Sequence, residues 1–82
     1  MEENVFGDLA SQGLEVVHRD GRYFVRYDAG AHQVAWREDE LTAEEFRRLR
    51  LGQQEEHAVL LGVQQRISAG GGNPYRENWT KV

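Results

Sequence analysis

The sequence predicts an α+β fold: an N-terminal helix, a three-stranded antiparallel meander, two C-terminal helices packed on one sheet face, and an aromatic C-terminal tail. Three observations carry this reading. The apolar spacing changes from helical to alternating at Leu14, an Asp20-Gly21 pair separates two alternating runs, and residues 41–46 hold a complete helix-start signal.

Asn4 is placed as an N-cap for a helix over residues 5–12, whose apolar positions 5, 6, 9 and 10 share one face, and Gly13 stops it. Residues 14–19 and 22–27 alternate, and the Asp20-Gly21 pair between them suits a two-residue type I′ turn. A second turn at residues 28–31 leads into a third strand over residues 32–37. With two-residue loops at 20–21 and 29–30, one sheet face carries the rows His18/Tyr23/Trp36, Val16/Val25/Val34 and Leu14/Tyr27/His32. That face is the expected core. The opposite face carries Arg19/Arg22/Arg37, Val17/Phe24/Ala35 and Glu15/Arg26/Gln33.

Thr42 and Glu45 form a capping box, and Leu41 and Phe46 a hydrophobic staple, so a helix begins at Ala43 with Phe46 and Leu49 inward. Gly52 ends it. A longer helix over residues 53–68 carries Val59, Leu60, Val63 and Ile67 on one stripe, and Leu61 lies outside it. A single bent helix over residues 43–68 is the alternative. Gly70, Gly71 and Gly72 form a flexible break, after which Asn73 and Pro74 start a helical turn that would place Tyr75 and Trp79 on one side. The expected organisation is one small domain over residues 1–72 and a tail over residues 73–82.

Composition narrows the chemistry. The 82 residues carry 14 acidic against 10 basic side chains, a formal net charge of −4, and no cysteine. Disulfide scaffolds, thiolate metal sites and cysteine nucleophiles are thereby excluded, and nucleic acid is disfavoured as a partner because non-specific affinity rests on neutralising phosphates. The apolar stretch at residues 58–63 is far shorter than the roughly 20 residues a bilayer requires. Residues 1–4 are acidic where an export signal is basic, so a cytoplasmic location is expected. A core of this size without disulfides or metal is marginal, which makes a homo-oligomer, a dimer, the expected state.

Like charges opposite one another on neighbouring strands repel, so the row Arg19/Arg22/Arg37 is the most pointed constellation. Together with Arg26 and the large Phe24 on the same face it is a candidate surface for a partner or an anion, since guanidinium groups fork onto carboxylate and phosphate. Tyr75 and Trp79 are candidate anchors of the tail. The run of acids from Glu38 to Glu45 suits a helix N-terminus, with docking of a basic partner as its second reading.

Catalytic signals are thin. His18, His32 and His57 complete no metal-ligand spacing, Ser11 and Ser68 lie in no nucleophile elbow, and the triple glycine lacks the Lys-Ser/Thr of a phosphate loop. No metal and no cofactor is expected. The functional expectation is a non-enzymatic, small homo-oligomeric interaction or regulatory protein that binds a macromolecular partner, plausibly another protein, through the arginine-bearing sheet face, the tail, or both. The alternative is an anion or nucleic-acid binder using the arginine row, and the third reading is a small enzyme using His18 or His32 with Tyr23 or Tyr27.

Overall fold

The computed structural model describes residues 1–30 and 32–81. Ala31, in the expected turn at residues 28–31, and Val82, the last residue of the expected tail, lie outside the described residues. The chain is α+β, with a four-stranded antiparallel sheet in the order β1-β2-β3-β4 and helices on one face. The elements are β1 (Glu3–Asp8), α1 (Leu9–Gln12), β2 (Leu14–Arg19), β3 (Arg22–Asp28), β4 (Trp36–Leu41), α2 (Ala43–Leu49) and α3 (Gln53–Ala69).

The hairpin of β2 and β3 forms as the sequence predicts. Asp20 and Gly21 both take positive φ, 54° and 75°, and the register pairs Val16 with Val25 and Arg19 with Arg22. Two other strands depart from expectation. The expected N-terminal helix is instead β1 followed by the single turn α1, which Asp8 caps by accepting from the Ala10 N–H at 3.1 Å. A bulge between Asn4 and Phe6 lets the adjacent Val5 and Phe6 both pack against the core, so the strand shows no alternation and reads as helical. Gly7 turns the chain at φ 77°, and a Cβ there would lie 2.5 Å from the Leu14 carbonyl oxygen, so only glycine fits.

The last strand is displaced by several residues. It begins at Trp36 rather than His32, because Asp28 first gathers Gly30 and Ala35 around its carboxylate. The Asp28 carboxylate accepts from the N–H groups of Gly30 and Ala35 at 2.9 and 2.8 Å, and the Ala29 N–H donates to the Ala35 carbonyl at 2.9 Å. A Cβ on Gly30 would sit 1.6 Å from the Gln33 carbonyl oxygen. Val25 therefore faces Asp39, Tyr27 faces Arg37, and Val34 is left 59% exposed in the loop, so the Val16/Val25/Val34 row does not exist. His32 is likewise an exposed loop residue, not a sheet residue.

Helices α2 and α3 cover the face bearing Leu14, Val16, Val25, Tyr27 and Leu41, meeting it with Phe46, Leu49, Val59 and Val63. The Thr42/Glu45 capping box is present in both directions, at 3.0 and 2.9 Å. Gly52 at φ 142° separates the two helices, so the single bent helix is not formed.

Candidate functional site

The arginine row does not form. Arg37 lies on the helix-covered side of the sheet opposite Tyr27, while Arg19, Arg22 and Arg26 stay on the outer side. The outer guanidiniums are paired. Arg19 bonds Glu38 at 2.7 Å and Glu2 at 3.0 Å, and Arg26 reaches Glu38, Glu15 and Glu2 at 2.8, 3.0 and 2.7 Å. Arg22 pairs more loosely with Glu40 at 3.4 Å. The Arg19–Arg22 repulsion is thus offset by carboxylates of β1's approach and of β4. Burial would lower the Arg26 guanidinium, but its three carboxylate partners outweigh it and raise it further. The Arg26 hydrogen bond holds the Glu2 carboxyl below its ordinary range.

Aromatic rings cover these arginines. Arg19 stacks on Phe24 at 4.1 Å and Arg26 on Trp79 at 4.6 Å, which half-buries both rings on the outer face. Phe24 is therefore occupied within its own chain.

Beneath, Arg37 is 6% exposed and forms a bidentate pair with Asp39, both bonds 2.9 Å long. Its Nη1 donates to the carbonyls of Asn73 and Arg76. Tyr27 donates to the same Asp39 carboxylate at 2.7 Å. Burial pushes the Asp39 carboxyl up, yet the bonds from Arg37 and Tyr27 prevail and hold it low. Burial raises the Tyr27 phenol well above its usual range, and the Asp39 charge adds to the effect, so Tyr27 remains a proton donor.

The guanidinium of Arg37 thereby ties the tail to the sheet. Residues 73–76 form a turn, with the Asn73 side chain accepting from the Tyr75 N–H at 2.9 Å, and the expected helical turn is absent. Past the turn, the chain runs along the free edge of β4. Glu77 accepts from the Trp36 N–H at 3.2 Å, the Asn78 N–H donates to the Trp36 carbonyl at 3.2 Å, and the Asn78 amide bonds both backbone groups of Glu38. Arg66 of α3 donates to the Glu40 carbonyl at 3.0 Å. Side chains thus occupy the edge groups that another strand would need.

A surface groove remains between α3 and this turn. It encloses about 500 Å³ and is lined by Leu61, Gln65, Ser68, Pro74 and Tyr75. Pro74, which lines it, is buried, whereas Leu61 and Tyr75 are 46% and 60% exposed. Tyr75 also borders a neighbouring recess of about 360 Å³ beside His32 and Ala35. Tyr75 and Trp79 point to different surfaces, one on this groove and one on the outer sheet face.

Of the candidate catalytic residues only His18 and Tyr23 are brought together, as packed rings. His18 packs on Tyr23 at 4.9 Å, Tyr23 stacks on Phe46 at 4.3 Å, Tyr27 is bonded to Asp39, and His32 lies in the loop. Among the described residues no three His, Asp or Glu could jointly hold a metal ion, and no helix is long and apolar enough to cross a membrane.

Comparison with family models, curated proteins and solved structures finds none that matches. The groove at Leu61 and Tyr75 was missed in the sequence as a joint surface, although Leu61 stood outside the apolar stripe of α3.

Proposed function

We propose that this chain is a non-enzymatic, homo-oligomeric interaction protein whose contact surface is the groove between α3 and the turn at residues 73–76. The carrying observation is that Leu61 and Tyr75, both large and exposed, border one recess that Pro74 also lines. Exposed apolar groups gathered in a rimmed groove are the usual mark of a protein contact, and Gln64, Gln65 and Ser68 supply the polar rim.

The alternative, an anion or nucleic-acid binder, has less support. Arg19 and Arg26 already hold three carboxylates between them, and an incoming anion would have to displace one of these in a chain of net charge −4. An enzyme reading is weaker again, because His18, Tyr23 and Tyr27 are each engaged in packing or hydrogen bonding. In this reading residues 1–72 are the folded domain, and the tail contributes one wall of its contact surface.

Leu61→Asp and Tyr75→Ser, made separately, test the proposal. Size-exclusion chromatography with light scattering should give a dimer for the parent chain and a monomer for each variant, with circular dichroism unchanged because both positions are exposed. Variants that retain the parent mass would show that the groove is not the contact surface.

A further inference from the structure

The large exposed apolar side chains of this fold are unevenly placed. Among the described residues there are five, and three of them follow α3: Leu51 just before its first turn at 70% exposure, Leu61 at its midpoint, and Tyr75 on the groove wall beside its C-terminal half. The helix surface between them is free of charge. From His57 to Gln65 it carries no Asp, Glu, Lys or Arg, in a chain where 29% of residues are charged, and such depletion is what marks the centre of a protein contact. The flanking charges are turned aside. Glu55 pairs with Arg48 and Arg66 with Glu45, both on α2, while Glu56 borders the recess beside Phe6 and Gln12. Left to solvent is one face of Gln54, Ala58, Leu61, Gln65 and Ser68, at alternating steps of four and three.

Gly62 supplies an independent observation. A Cβ there would meet nothing within 4 Å, so no neighbour inside the chain requires glycine at a position where it weakens the helix. A helix approaching closely from outside the chain would use that room.

We propose that α3 of a second copy lies antiparallel on this face, with the two-fold axis at Leu61. The proposal rests on the homo-oligomeric reading above and names its contact. Because Leu61 is the midpoint of Gln53–Ala69, an antiparallel copy centred there brings its Leu51 end over the Tyr75 end of the first, and the two Leu61 side chains meet. All three exposed apolar groups of each copy are then covered together. A second copy matches their spacing by symmetry. The polar positions suit the same arrangement, since Gln54 falls opposite Ser68 and both amide and hydroxyl donate and accept, so symmetry creates no like-charge pair. A nucleic acid, or a peptide of either charge, finds no opposite charge on this face. Opposed helix dipoles favour the antiparallel over the parallel pair.

The chain has no cysteine, so single introduced thiols report the arrangement. Full-length Gln54→Cys and Ser68→Cys chains are mixed, left to exchange subunits and treated with a short bismaleimide, and the products are read by mass spectrometry. Antiparallel pairing predicts products joining 54 to 68 from the mixture and none from either variant alone. Products joining 54 to 54 or 68 to 68, or no product from chains that sediment as a dimer, overturn the antiparallel pairing; where Leu61→Asp still dissociates that dimer, the groove remains the contact surface. A monomeric parent chain overturns both. Gly62→Ala gives a second reading. The added methyl group finds room within the chain but not against a closely packed helix, so the dimer dissociation constant should rise by about tenfold with the fold retained. An unchanged constant in the folded variant contradicts the close approach.

Discussion

The side-chain amide of Asn78 pairs with both backbone groups of Glu38, accepting from its N–H at 2.8 Å and donating to its carbonyl at 3.2 Å. One residue thereby stands in for a neighbouring strand at the free edge of β4. An open edge is a template for uncontrolled pairing, and here an amide, a carboxylate and an arginine close it without extending the sheet.

Asn78→Ala should accordingly reopen that edge. Both bonds are solvent-accessible, so the loss in stability should be about 1 kcal/mol. Amide hydrogen exchange followed by NMR should show faster exchange at Glu38, with the amides of Val16 and Val25 unaffected.

Arg37→Ala should be far more damaging. It leaves the half-buried Asp39 carboxylate without its cation, and because Tyr27 and Asn78 still donate to it the loss should be about 3 kcal/mol, the low end for a broken buried pair. Arg37→Lys should rescue only part of this, since a single ammonium cannot reproduce two parallel bonds to Asp39 together with the contacts to Asn73 and Arg76. Urea denaturation of the two variants checks the ordering.

Acid should weaken the fold through Glu38 and Asp39. Burial opposes ionisation of both, but their arginine partners hold the folded carboxyls below the ordinary values of 4.5 and 3.8. The stabilising contribution is therefore complete above those values and disappears as pH falls through the lower folded ones, because the unfolded chain takes up protons first. Urea midpoints measured from about pH 6 to about pH 3 should fall, and Asp39→Asn should flatten the dependence.

Two valines provide a packing control. Val25 is fully buried, and Val25→Ala should cost about 1–3 kcal/mol. Val34 is 59% exposed in the loop, and Val34→Ala should change stability by less than about 0.5 kcal/mol. Thermal unfolding of both variants distinguishes this arrangement from one in which the two valines are neighbours.

The parts of the fold that were legible in the sequence are those governed by local chemistry. Asp20-Gly21 dictates its own turn geometry, and Thr42 with Glu45 forms a cap within one helical turn, so both could be read without knowing any distant neighbour. β1 was hidden because its bulge puts Val5 and Phe6 on the core side together and erases the alternation of a strand. β4 was misplaced for a different reason. Its inward positions include Arg37 and Asp39, whose charges are tolerable there only because they pair with each other and with the tail, and no local pattern announces that. The same shift of β4 removed Arg37 from the arginine row by placing it opposite Tyr27, while Arg19 and Arg22 stayed paired on the outer face. The groove was invisible for the complementary reason that Leu61 and Tyr75 meet only after the connection at residues 70–72 folds back on α3.

Self-association through the α3 groove is read out by sedimentation equilibrium of the unmodified chain over a wide concentration range. The mass should rise with concentration from the 9.4 kDa of one chain to twice that value. A single 9.4 kDa species persisting at the highest concentration would contradict it.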